Sequence, residues 1–199
     1  PFFKKMENYQ GEITEARNSE GPLKVSEVVD RNPIYEGLFK AASEMGIPIN
    51  KDYNGHEQEG MGYTQTTIFK GERMSAEVAY LRPVRSRKNL KIITNSLVTK
   101  LLFKDKTCIG VKVKNKNKIV DFFAQNEIIL CGGAINSPQI LELSGIGNRS
   151  ILEEKGISLV HELKGVGENL RDHLGPRLVY NITKRGISYN DKARGINLI

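Results

Sequence analysis

The stretch EIILCGGAINSPQILELSGIG, residues 127–147, constrains the fold more than any other part of the chain. Its apolar run Ile128-Ile129-Leu130 shows no polar alternation, the pattern of a strand buried on both faces of a layered α/β sheet. The run ends in Gly132-Gly133-Ala134, where bare backbone can turn sharply or let a flat or anionic ligand approach closely. Glycines at such connections also serve packing alone, and the residues themselves leave both roles open. Beyond the turn, Ser137 predicts a helix N-cap and Pro138 a first helical residue: the cap oxygen serves an orphan amide, and proline lacks the donor that would go unpaired. The helix is expected to run to about Ser144, with Gly145 as a left-handed stop. The glycines do not spell G-x-G-x-x-G, and no Lys-Ser or Lys-Thr follows them. Neither a dinucleotide fingerprint nor a phosphate loop is present here.

The rest of the chain alternates helical and strand patterns. In RNPIYEGLFKAASEMG, Ile34, Leu38, Ala41, Ala42 and Met45 recur at helical spacing, and Gly46 with Pro48 ends the element. Residues 73–82 predict a helix capped by Ser75 and stopped by Pro83. Tyr63 to Phe69 reads as a strand. From residue 90 to 131, five short β-branched or apolar runs (LKIITNS, LVTKLLF, CIGVKVK, KIVDFFA and NEIILCGG) predict about five strands. A short helix is expected near Ser150 to Lys155, and further strands at Ile157 to Val160 and at Leu178 to Ile182.

Composition narrows the function classes. With 39% hydrophobic and 27% charged residues in 199, the chain has the balance of a globular protein able to bury a core. Pro1 opens it and no leader with a cleavage site follows, so it is expected to be a processed chain or an internal piece of a longer protein. No apolar run approaches the roughly 20 residues of a membrane helix. The net charge of +7 raises the question of nucleic acid. Yet Lys112, Lys114, Lys116 and Lys118 take alternate positions beside Val111 and Val113, the solvated face of a strand pair that turns near Asn115-Lys116-Asn117. No aromatic residues interleave to stack on bases, so no nucleic acid is expected as a partner. Cys108 and Cys131 have no disulfide or metal spacing and read as small buried hydrophobes. His56 reads as a loop-surface histidine and His161 as an exposed strand residue. The triplets Asn148-Arg149-Ser150 and Asn181-Ile182-Thr183 leave the compartment open.

Gly133 to Gly147 resembles the second signature of the glucose-methanol-choline (GMC) family of FAD-dependent oxidoreductases. There Gly-Ala-x-x-Ser-Pro precedes two aliphatics and then Ser-Gly-aliphatic-Gly. Two further segments resemble the family in order. Gly71-Glu72-Arg73-Met74-Ser75-Ala76, with Ala79-Tyr80-Leu81-Arg82-Pro83 and Arg87-Lys88-Asn89-Leu90, lies upstream. Gly165-Val166-Gly167-Glu168-Asn169-Leu170-Arg171-Asp172-His173 lies downstream. PFFKKMEN is also similar to the opening of this region in insect and bacterial members. The three ordered motifs together suggest an internal fragment of an insect glucose dehydrogenase-like enzyme.

The resemblance implies an α/β (α+β) fold: part of a Rossmann-like FAD-binding domain with part of a substrate-binding domain. Residues 1–70 would belong to the substrate-binding portion, 71–173 to the FAD-binding portion, and 174–199 would start the next substrate-domain segment. The implied cofactor is FAD. The implied reaction is oxidation of an alcohol or sugar by hydride transfer to flavin N5, with oxygen or a quinone-like compound as electron acceptor. The family's G-x-G-x-x-G loop and catalytic histidine lie outside this segment, so no catalytic residue is expected within it. By the same resemblance Val98 would meet the FAD adenine through its backbone, and Gly133 and Ala134 would approach the flavin. Asn169, Asp172 and His173 would lie near the junction with the substrate domain; His173 also reads as a hydrogen-bonded structural histidine. A family-derived binding or structural protein without catalysis is the alternative. Expressed alone, the 199 residues are expected to hold FAD weakly or not at all, which gel filtration followed by flavin absorbance checks.

Overall fold

The computed structural model describes residues 2–29, 31–183 and 186–192. The chain divides into two compact units, residues 1–90 with 178–199, and residues 91–177.

The first unit contains α1 (Phe2–Met6), β1 (Glu7–Tyr9), β2 (Leu23–Glu27), α2 (Ile34–Glu44), β3 (Gln65–Thr66), β4 (Ile68–Phe69) and β5 (Glu72–Arg73). β2 is central, pairing parallel with β1 and antiparallel with β3. The strand expected over Tyr63 to Phe69 is divided in two. After β3 the chain switches partner and β4 folds back on β5, through a Lys70-Gly71 turn with φ of 50° and 77°. Positive φ at both turn residues matches the twist of a tight hairpin. α2 forms where its apolar spacing predicts, and its end is closed by the Ile47 amide donating to the Ala42 carbonyl at 2.9 Å. Phe39 on α2 meets Tyr63 edge-on at 4.9 Å. Residues 73–82 differ from a regular helix. Ser75 Oγ does accept the Val78 amide (3.3 Å), but the turn is of π type over Glu77–Leu81 and tightens to a 3-10 turn over Arg82–Val84, which carries Pro83 inside it. A first-turn proline gives up a donor that has no helical partner there.

Arg17 holds this unit together from within. Its side chain is 1% exposed and makes a two-pronged contact with Glu7 (Nη2 to Oε1 2.7 Å, Nε to Oε2 3.0 Å). Nη1 donates to Asp52 Oδ1 at 2.6 Å and to Gln65 Oε1 at 3.0 Å, and the guanidinium lies 3.7 Å from the centre of the Tyr9 ring. A cation taken out of water costs several kcal/mol unless its donors are satisfied, and here carboxylates and an amide take them up. Replacing Arg17 with Met in the full-length protein strands Glu7 and Asp52. The expected loss is about 3–5 kcal/mol, read as a lower denaturant midpoint.

Tyr9 carries the same network outward: its hydroxyl donates to Glu27 Oε1 at 3.2 Å and accepts from Gln65 Nε2 at 3.1 Å. Burial, and then the Glu27 charge, push its pKa up from 10.0 to about 12. A raised folded pKa leaves stability independent of this phenol below pH 10. Between 10 and 12 the unfolded chain loses the proton first, and stability falls. Ultraviolet titration should show one phenolate appearing last, absent from Tyr9→Phe, whose stability also loses that alkaline decline.

The second unit contains β6 (Ser96–Lys104), β7 (Thr107–Asn115), β8 (Lys118–Phe123), α3 (Gly133–Leu143), β9 (Ile146–Gly147), α4 (Arg149–Glu154) and β10 (His161–Glu162). β6, β7 and β8 form an antiparallel meander joined at Asp105-Lys106 and Lys116-Asn117. Lysines mark its solvated side as expected, with Lys112 Nζ 2.7 Å from Asp121 Oδ1 on the neighbouring strand. The buried apolar residues of this unit are Leu101 and Val113 on the meander, Leu152 on α4, and Val166.

Three of the five expected strands form in this region. LKIITNS has no ladder before Ser96, which opens β6, and Glu127 to Cys131 has none, with Ile129 74% exposed. A strand apolar on both faces forms inside a sheet whose two faces are covered, and no strand among the described residues pairs with this run to build one. Cys131, expected to be buried with it, is exposed, while Cys108 is half-buried on β7. Two other segments shift. The strand expected at Ile157 to Val160 forms instead at His161–Glu162, parallel to β9, and Leu178 to Ile182 forms none. α4 begins at Arg149 because Asn148 caps it, its side-chain oxygen accepting the Ser150 amide at 3.1 Å.

Candidate cofactor site

α3 starts earlier than Ser137 and Pro138 predict. Gly132 is the cap, Gly133 the first helical residue, and Pro138 lies inside the helix. Flexible glycines let the chain enter its first turn before the proline, where most amides have no intrahelical partner in any case. Pro138 then cannot donate to the Ala134 carbonyl four residues back. No side chain caps this end. Gly132 is packed inward: a Cβ there would come within 3.2 Å of Asn136 Cβ and of Ser137 N and Oγ. Gly133, with φ of +82°, has nothing within 4 Å of where its Cβ would stand. The turn therefore presents uncapped amides and open main chain on its outer side.

Ala134 and Pro138 on α3 face Gly167, Glu168 and Leu170 across a groove of about 300 Å³. The opposing segment is held by main-chain bonds: the Val160 and His161 amides donate to the Gly145 carbonyl at 2.8 and 3.1 Å, and the Leu163 amide to the Gly147 carbonyl at 2.9 Å. Gly145 adopts the expected left-handed φ, +88°, and any Cβ there would collide with the Ser158 carbonyl. Asn169, next to the groove wall, also has positive φ, +57°.

The six residues singled out in the sequence all fall in this unit. The structure brings Ala134 and the Gly167–Leu170 turn together, with Gly133 at the mouth of the same helix. Val98 lies on β6, half-buried, paired with Val113 beside a bulge in which Thr99 is the extra residue. It does not line the groove. Asp172 and His173 are exposed, and their described bond is local, the His173 amide to Asp172 Oδ1 at 2.8 Å. Sequence reasoning missed Ser144, which is 1% exposed and accepts the Leu101 amide at 2.8 Å while donating to the Ile140 carbonyl at 2.6 Å. Its place before Gly145 marked a helix end, and nothing in a single sequence shows that the hydroxyl reaches another element.

A family model described as GMC oxidoreductase matches residues 1–175. The chain belongs to the GMC oxidoreductase family. Among its relatives, human mitochondrial choline dehydrogenase is 42% identical over 174 residues, covering 87% of this chain and 29% of that enzyme. The alcohol dehydrogenase [acceptor] of Pseudomonas putida is 40% identical over 98% of this chain and 36% of its own length. Of solved structures, an FAD-dependent oxidoreductase from Chaetomium thermophilum superposes with a TM-score of 0.80 at 33% identity, over 86% of this chain and 32% of that one. A fungal aryl-alcohol oxidase gives 0.85 at 25% identity, over 97% and 35%. The chain thus spans about a third of the length of the GMC proteins it matches. Its mixed helix and strand fold is that of GMC flavin-domain structures, and FAD is the cofactor of this family. The open Gly133 face and uncapped amides of α3 fit main-chain approach by such a group.

Gly133→Val tests that fit. A branched side chain at positive φ costs roughly 1–2 kcal/mol and fills the open face. Full-length protein carrying it is expected to stay folded with reduced bound flavin, read from the ratio of visible to ultraviolet absorbance.

Proposed function

We propose that the full-length protein oxidises a CH–OH donor with FAD as cofactor, and that residues 91–177 supply part of the cofactor's cradle. The family match over residues 1–175 carries this reading, supported by the open, uncapped start of α3. When bound, FAD supplies the centre that accepts hydride. The protein supplies orientation and electrostatics. Gly133 and Ala134 would offer main-chain groups at the α3 turn, where the positive end of the helix favours electron-rich atoms. Val98 would hold the adenine through its backbone on β6, and Asn169, Asp172 and His173 would lie toward the substrate side.

The donor class is a finer matter. The relatives include proteins named for choline, alcohol, formate and aryl alcohol. The glucose dehydrogenase-like reading rests on the three ordered motifs and makes a sugar one candidate donor beside choline and simple alcohols. Oxygen and quinone-like compounds are the candidate acceptors.

The test is anaerobic mixing of full-length, flavin-loaded protein with glucose, choline or an aromatic primary alcohol. Bleaching of the visible flavin band by one of them establishes oxidation and names the donor class. Reoxidation by air or only by a quinone dye then identifies the acceptor. Bound flavin that no alcohol bleaches would leave a non-catalytic scaffold, and full-length protein that binds no flavin would end the proposal.

A further inference from the structure

We propose that Ser144 is a positioning residue for the cofactor: its hydroxyl fixes α3 to β6 and so sets the placement of the Gly133–Ala134 turn relative to Val98. This rests on the proposed roles of those three residues as cofactor contacts. Three observations carry it. First, Ser144 is 1% exposed, and its single hydroxyl is used twice, accepting the Leu101 amide at 2.8 Å and donating to the Ile140 carbonyl at 2.6 Å. Leu101 lies on the strand that carries Val98; Ile140 lies on the helix that begins at Gly133.

Second, β6 is an edge strand that pairs with β7 alone among the described strands, so its outward amides need partners from elsewhere. Ser144 serves one of them, three residues along from Val98 and beyond the Thr99 bulge. Third, the same end of α3 is tied to the opposite wall of the groove. Gly145, directly after Ser144, accepts the Val160 and His161 amides that start the segment leading to Gly167. One corner thus joins β6, α3 and the wall of the groove.

The arrangement acts as a lever. Ten residues separate Ala134 from Ser144, about 15 Å at the rise of an α-helix. A tilt of about 5° at the pinned end therefore displaces the open turn by about 1.3 Å, using that same rise. Misplacement by about 1 Å costs catalytic sites up to about a hundredfold. Ser144→Ala removes the hydroxyl, leaves the Leu101 amide without its partner, and frees the pinned end to move.

The experiment uses the full-length protein. FAD dissociation constants and anaerobic flavin reduction rates at saturating FAD would be measured for wild type, Ser144→Ala, Ser144→Cys and Leu152→Ala. Leu152 is equally buried in the same unit, and its truncation controls for lost stability alone. Ser144→Ala is expected to weaken FAD binding at least tenfold and to alter the flavin's visible circular dichroism. Ser144→Cys, with a weaker donor and acceptor, should fall between it and wild type. Leu152→Ala should lower the melting temperature with FAD affinity within about twofold of wild type. Should Ser144→Ala not fold, the Cys variant alone decides against the same control. Ser144 variants that melt earlier but bind and reduce FAD like wild type would reduce Ser144 to a structural residue and overturn the inference. Wild-type protein without FAD binding would instead overturn the functional reading on which it rests.

Discussion

The second unit depends on one hydroxyl reaching from a helix end to a strand edge. Sheets are closed by their ladders, but β6 is an edge, and half of an edge strand's main-chain groups face away from the sheet. Ser144 converts that unmet requirement into an attachment. Because the same residue bonds back to Ile140, it satisfies two main-chain groups with one buried oxygen and leaves no polar atom stranded. Three elements meet at this corner: α3 with its open turn at the far end, the segment leading to Gly167 and Glu168, and the strand that carries Val98.

The first unit is organised by a different principle, a buried cation shared among several acceptors. Arg17 gathers groups from β1, from β3 and from the loop at Asp52, which apolar packing in so short a set of strands does not bring together. Tyr9 and Gln65 relay this network to Glu27. A buried ion pair roughly balances its own desolvation, so the contacts of Arg17 define which groups meet more directly than they define a net gain in stability.

Features governed by neighbours in the chain were legible in the sequence. The apolar spacing of α2, the left-handed Gly145, the Ser75 bond to Val78 and the alternating lysines of the β7–β8 hairpin all follow from local chemistry, and the structure has each. What failed was what depended on distant partners. Ile128 to Leu130 have the composition of a buried strand, but no strand among the described residues pairs with them, and Cys131 beside them is exposed. The start of α3 was misplaced because Ser137-Pro138 is a good cap in isolation, yet Gly132 and Gly133 can enter the turn sooner. For the candidate site, the motif marked Gly133, Ala134 and the Gly165–His173 segment, and the structure joins Ala134 to Gly167, Glu168 and Leu170. The corner at Ser144 was invisible, because a serine before a helix-ending glycine gives no sign that its hydroxyl bonds to a strand more than forty residues back.

The unpaired run from Glu127 to Cys131 has a consequence for solution behaviour. Its amides and carbonyls have no ladder among the described strands, and it carries the apolar side chains of Ile128, Ile129 and Leu130. Such a segment accepts whichever strand reaches it first. In the 199 residues by themselves that strand can come from a second copy, so self-association should grow with concentration, and the amide hydrogens of this run should exchange rapidly in the monomer. Where other parts of a longer chain supply the neighbouring strands, the same amides become some of the slowest to exchange. Hydrogen exchange at five residues thus reports directly whether neighbouring strands have paired with the run that leads into the Gly133 turn.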